Sequence, residues 1–284
     1  MSSLPIQSFK EKICQYRDIY LALLSGSQTI QSEHWQTGQQ PDNLCGPYWA
    51  AILLRAIARV NTTPSEIGKW SGTILPTGDA KQWLPLGADS RQDYTTPLLT
   101  TIHLHESGTS AGGLAAAVKQ CSANRYRFIP VQCQWSADKI RQLFWLCHQH
   151  PKWNIVPVCN LNTGYLWGAN LPISEAIAHL NGMPITPPPP DWAVGHFVVL
   201  AGILHTSHRS LALMQDTYPT LGWQGYHLQP WEAIAAGLAR DGQSQGGILL
   251  FAATHDQSEI EAQLQDAGFE ITLWDNGTPR YLIE

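Results

Sequence analysis

Cys45, His196 and Asp216 are the residues of this chain whose types and order suit nucleophilic catalysis. In QQPDNLCGPYWAAILLRA, residues 39–56, a polar, turn-forming lead-in delivers one cysteine to the first turn of an apolar helix. Asp42 or Asn43 can cap that helix, Pro47 suits an early helical position, and Ala50, Leu53, Leu54 and Ile57 recur at helical spacing. Unpaired backbone N–H groups and the positive helix end favour a thiolate at Cys45. The thiolate is the nucleophile. The alternative is an unreactive thiol that fills space in a core.

A cysteine nucleophile needs a base, and the base needs an orienting acceptor. His196 opens the apolar run HFVVL, and Asp216 ends LALMQD immediately before a turn. Two adjacent antiparallel strands would set them side by side, with the aspartate fixing the imidazole tautomer. About 150 residues separate Cys45 from His196, close to the roughly 130–150 found in papain-type enzymes. Gln39 lies six residues before Cys45, and its amide could join the Cys45 backbone N–H at an oxyanion, with Gln40 as the fallback. Trp192 and Trp223 flank the His–Asp region as candidate substrate-binding residues, core packing being the other role open to them.

In these residues the chain resembles the papain-like cysteine peptidases, in Gln–Cys–His–Asp order. Its pattern is nearest to the double-glycine leader peptidases that process bacteriocin precursors and to their standalone relatives. The matching positions are Gln39, Cys45-Gly46, His196 to Leu200, and Asp216, spread over residues 35–255. That resemblance implies an α+β papain-like fold, with N-terminal helices packed on an antiparallel sheet that carries the histidine and aspartate. Thr217 departs from the pattern, which has proline after the aspartate. No membrane span or phosphate-binding loop accompanies the match, so a transporter-fused leader peptidase is not expected.

The elements that must position these groups are legible in outline. Ile6, Phe9, Ile13, Tyr16, Tyr20 and Leu23 predict an amphipathic helix over 5–25 that ends at Gly26. The Cys45 helix should run to about Val60, with a short helix at PSEIGKW and a long connection over 72–100. TSAGGLAAAVKQC and SADKIRQLFWLCHQH read as helices, and RYRFIPVQC and NIVPVCNL as strands. Residues 161–192 contain a short apolar helix and a run of four prolines, a stiff segment that suits a flap or a spacer. Strands follow at GHFVVLAGIL, RSLALMQD and GGILLFA, with the helix PWEAIAAGL before the last. The tail predicts a helix over 256–267 and a hairpin around Asn276-Gly277. Helices first and strands later is an α+β order.

Composition narrows the function. The 284 residues are 44% hydrophobic and 14% charged, as expected of a globular chain, and no basic run offsets the net charge of −5. A nucleic-acid surface is therefore not expected. The six cysteines form no C-x-x-C pair, no signal peptide opens the chain and no apolar run could span a bilayer, which together predict a cytoplasmic setting. CGPY lacks the second cysteine of a redox site, and neither HLH at 103–105 nor HQH at 148–150 has a visible third metal ligand. No cofactor or metal is implied. The expectation is one papain-like domain over 1–284, with a helical extension at 1–34, a catalytic core at 35–255 and a helix plus hairpin at 256–284. Its activity would be hydrolysis of a peptide or small amide through a thioester. An acyl transferase on the same triad and a non-catalytic peptide-binding module are the alternatives.

Overall fold

A computed structural model describes residues 5–13, 15–240 and 245–278. In chain order the regular elements begin with α1 (Pro5–Ile13), β1 (Tyr20–Leu23), α2 (Ser25–Thr37), α3 (Cys45–Ala56), α4 (Pro64–Trp70), β2 (Ile74–Pro76) and β3 (Leu99–Thr101). They continue with α5 (Ala111–Cys121), β4 (Tyr126–Val131), α6 (Ala137–Gln149), β5 (Val156–Asn162), α7 (Ile173–Leu180) and β6 (Gly195–His205). The last are β7 (Ser210–Gln215), β8 (Tyr226–Gln229), α8 (Trp231–Ala239), β9 (Gly247–Ala253) and α9 (Gln257–Asp266). The architecture is α+β: helices come first, and a seven-stranded sheet of order β4-β9-β5-β6-β7-β8 follows, with β1 added to β6. Every pairing in that sheet is antiparallel; β2 and β3 form a separate parallel pair.

β6 is the spine. Its first half pairs with β5 and its second half with β1 on the same edge, while β7 takes the other edge. Both faces are covered, which is why HFVVLAGIL reads as an unbroken apolar run. Phe197, Val199, Ala201 and Leu204 face a core shared with α3 and α5, whereas Val198, Leu200 and Ile203 face one shared with α6 and α8. An irregularity between Leu200 and Gly202 shifts the pairing, so the alternation changes phase there. A Cβ at Gly202 would stand 2.6 Å from the Ala22 carbonyl, so glycine is what lets β1 dock.

Three expectations are corrected. The helix over 5–25 is instead α1, β1 and the start of α2. Ile6, Phe9 and Ile13 keep one buried face, but Asp18 at φ 66° turns the chain and YLAL completes the β6 edge. Gly26 lies inside α2, where a Cβ would strike the Ile155 carbonyl. The connection over 72–100 contains the small β2–β3 pair. In the tail, FEITLWD makes only an isolated bridge, Gln132 to Glu270; the residues after Thr278 lie outside the described ones. Among the described residues, no helix is long and apolar enough to cross a membrane.

Candidate active site

Cys45 is the first residue of α3, where the first helical N–H groups lack intrahelical acceptors. The side chains of α3 that follow are almost all buried, which fixes the helix against β6. The indole of Trp49 donates to the Phe197 carbonyl at 3.1 Å, tying α3 to the residue after His196. His196 sits at the second position of β6 and Asp216 directly after β7. The β6–β7 pairing brings the two together: His196 Nε2 donates to Asp216 Oδ1 at 3.1 Å, and both residues are buried. With Nε2 engaged, Nδ1 is the ring atom left for the hydrogen bond between His196 and the half-buried Cys45 thiol.

Electrostatics favours the charged pair. Burial pushes the Cys45 thiol up, yet the His196 charge, a hydrogen bond from His196 and the backbone of Phe197 and Gly46 bring it below its ordinary value. Burial would also lower His196, but the Asp216 and Cys45 charges raise it to about 10. Desolvation raises Asp216, and His196 and His227 outweigh it, holding the carboxyl well below the usual range. The other described cysteines go the opposite way: burial pushes Cys147 and Cys159 up to about 12, Cys133 to about 11, and Cys121 upward as well. Among the described cysteines, Cys45 alone is shifted toward the thiolate.

Asp216 is held from several sides. The Tyr218 N–H donates to Oδ1 at 3.2 Å, and the Thr217 hydroxyl lies 3.3 Å from the same oxygen. Thr217 thus adds a polar contact that the proline of the resembled pattern would lack. His227 Nε2 faces Oδ2 at 3.7 Å, and its Nδ1 accepts from Gln229 Nε2 at 3.0 Å. That second bond places the His227 proton on Nε2, aimed at the aspartate. Trp192 caps the assembly edge-on, its ring 4.8 Å from His196 and 5.3 Å from Tyr218. The proline run lies just upstream, with the Pro188 carbonyl accepting from Gly168 N–H at 3.0 Å, so it acts as a strap that carries Trp192 to the histidine.

Two expected residues are elsewhere. Gln39 does not line the cleft at Cys45; its Nε2 donates to the Asp89 carbonyl at 2.6 Å, and its own carbonyl is held by Arg91. The loop around Asp89–Arg91 wraps this segment, with Asp42 accepting from Ser90 Oγ at 2.6 Å and Arg91 N–H at 3.0 Å, and draws Gln39 outward. Gln40 is the residue turned inward. Its Nε2 donates to Tyr218 Oη at 2.9 Å and its Oε1 accepts from Thr217 Oγ1 at 2.7 Å. Trp223 packs on α1 instead of the cleft, edge-on to Phe9 at 5.1 Å with Lys12 Nζ 5.7 Å from its ring.

A ranking of variants follows. Gln40→Ala should lose about 1–3 kcal/mol in urea unfolding, because it removes two buried hydrogen bonds and leaves Thr217 only its longer contact with Asp216. Turnover should fall with it. Gln39→Ala should stay within about 0.5 kcal/mol of the parent protein. A hundredfold loss of turnover in Gln39→Ala at full stability would show that its amide leaves Asp89 to reach the oxyanion.

The cleft at Cys45 has a volume of about 700 Å³. Asn43 and Arg240 line it, and both escaped notice as site residues in the sequence. Asn43 reads there as a helix cap, but Leu44 occupies the cap position and Asn43 adopts φ 59°. Arg240 lies just past the PWEAIAAGL segment and belongs to no motif. His227 carries no sequence signal at all, lying mid-strand in YHLQ. Among the described residues, no group of three His, Cys, Asp or Glu side chains could hold a metal ion.

No curated protein matches the sequence. Residues 24–275, which include every residue of the site, match the model of a family of unknown function, DUF6885, and the chain belongs to that family.

Proposed function

We propose that this protein is a papain-like thiol hydrolase that cleaves a peptide or small amide through a thioester. The observation that carries the reading is the line from Cys45 through His196 to Asp216, with the thiol lowered and the imidazole raised at the edge of an open cleft. Support for the papain-like layout comes from the nucleophile helix packed against an antiparallel sheet that carries the other two residues. A peptide or small amide, not nucleic acid, is the proposed partner class, and a cytoplasmic setting is part of the same proposal.

In the proposed mechanism the Cys45 thiolate attacks the carbonyl carbon, and the oxygen takes the negative charge. The Cys45 backbone N–H, at the helix end, and the Asn43 side-chain amide donate to that oxyanion. His196 transfers its Nδ1 proton to the leaving nitrogen as the C–N bond breaks, leaving a Cys45 thioester and a free amine. His196, now neutral, takes a proton from water, which attacks the thioester and releases the acid and the thiolate. Asp216 keeps the ring in one tautomer throughout and stabilises its protonated form. Asn43→Ala should lower turnover by about 10²–10³, the usual loss for one oxyanion donor.

The reading is tested by incubating the protein with a peptide library and identifying products by mass spectrometry. New termini that vanish in Cys45→Ala are expected. New amide linkages would redirect the reading to acyl transfer, and unchanged peptides with an unreactive Cys45 would favour a binding module.

A further inference from the structure

Arg240 follows α8 and is only 5% exposed, yet it lines the cleft together with Cys45. It adopts a left-handed backbone, φ 49°, unusual for a residue with a Cβ. One terminal guanidinium nitrogen donates to Asn160 Oδ1 at 3.0 Å, and Nε is buried with no partner. Among the described residues no carboxylate pairs with it. A buried guanidinium without a carboxylate partner is costly, and the Cys45 charge only partly offsets its desolvation.

The surroundings point the same way. Asn160 Oδ1 accepts from both Arg240 and the Trp274 indole, at 3.0 and 3.3 Å, which leaves the Asn160 NH₂ as a further donor on the cleft wall. Gly195, the residue before His196, has no side chain to cover the guanidinium; a Cβ there would stand 3.8 Å from it. No Asp or Glu is found among the described residues of the cleft wall, although the chain as a whole carries a net charge of −5. The cleft therefore presents a fixed cation and spare N–H donors next to the nucleophile, with no carboxylate to pair with them and the Cys45 thiolate as the anion that acts on the guanidinium.

We infer that Arg240 and Asn160 form a carboxylate-binding subsite, so that the amide cleaved at Cys45 belongs to a substrate carrying a carboxylate close to the scissile bond. The inference rests on the hydrolase reading and gives it a substrate class. A guanidinium fork fits a carboxylate in two parallel bonds, and an anion that completes an unpaired buried charge is bound more firmly than one at an exposed arginine.

Two alkylating reagents that differ in one group test the subsite. Iodoacetate carries the carboxylate; iodoacetamide replaces it with a neutral amide. Both displace iodide from carbon to form a thioether at the Cys45 thiolate. At pH 6.5 and low salt, the iodoacetate-to-iodoacetamide rate ratio at native Cys45 should be at least about tenfold higher in the parent protein than in Arg240→Met. Asn160→Asp, which supplies the guanidinium with an internal counter-charge, should lower the ratio similarly. In the parent protein iodoacetate labelling should also saturate and be slowed by N-acetylglycine, a result that needs no variant to fold.

An unchanged ratio in both variants, or linear labelling indifferent to N-acetylglycine, would overturn the subsite while selective iodoacetamide labelling upheld the nucleophile. An equal fall of both rates in Arg240→Met would also overturn it, assigning Arg240 to the thiolate instead. Failure of iodoacetamide to select Cys45 would remove the hydrolase reading and the subsite together. Peptides with free or amidated C-termini, each with and without Asp and Glu, then separate an α-carboxylate from an acidic side chain as the group bound.

Discussion

Cys45→Ala and His196→Ala should each lower amide turnover by roughly 10⁶, the scale seen when a nucleophile or its base is removed from a working triad. Asp216→Asn should cost about 10⁴, since it leaves the ring in place but disturbs its tautomer. The thiol reports the same arrangement without a substrate. Iodoacetamide at pH 6 should label Cys45 in the native protein, whereas Cys147 and Cys159, buried and pushed up to about 12, should resist until the chain unfolds. His196→Ala should abolish the low-pH labelling, because the imidazolium is the main source of the lowered thiol value. The pH profile of kcat/KM should rise well below the roughly 8.5 of a free cysteine and fall toward pH 10, where His196 loses its proton. Linkage has the same sign. His196 is raised, so its contribution to folding stability is complete below about pH 6.5 and is lost as the pH climbs through about 10. Slow, equal labelling of all cysteines, with turnover intact in Cys45→Ala, would defeat the assignment.

Trp49→Ala should be the most damaging change outside the triad. The side chain is fully buried, packs against His34 at 5.0 Å and Tyr48 at 5.4 Å, and hydrogen-bonds the Phe197 carbonyl. Truncation of a buried tryptophan costs about 3–5 kcal/mol. The unpaired Phe197 carbonyl adds to that loss. In urea unfolding the midpoint should drop sharply, and pH 6 labelling of Cys45 should weaken even where the protein remains folded, because α3 is no longer fixed to the strand that carries His196. Trp49→Phe should recover much of the packing but not the hydrogen bond. Stability near that of the parent protein in Trp49→Ala would show that α3 is held to β6 by other contacts.

Most of the elements can be read in the sequence because their signals are local. Ser110 and Ser136 cap α5 and α6 with hydroxyls accepting from residues three further on, and Thr63 and Glu66 form a capping box at α4. The His–Asp contact was legible because two consecutive apolar runs joined by a short turn pair as neighbours. What escaped is set by contacts between distant segments. Residues 5–25 keep helical spacing on paper, yet Tyr20–Leu23 gain more as an edge strand of β6 than as a helical face. Gln39 and Gln40 differ by a single position, and the loop at Asp89–Arg91 decides which of them faces inward. Arg240 and Asn160 lie eighty residues apart and meet only because β5 and the end of α8 frame the same cleft.

The placement of Cys45 about 150 residues before His196 has a consequence for synthesis. A nascent chain that has built α3 but not β6 carries an ordinary thiol, since neither His196 nor the Phe197 backbone has yet reached it. Contacts this remote in sequence form late, after the loop between them has closed. Under the proposed mechanism, the thiol therefore stays unactivated toward amide bonds while the polypeptide emerges and collapses. In that mechanism reactivity switches on only when the spine of the sheet is in register, so the fold itself acts as a safety catch.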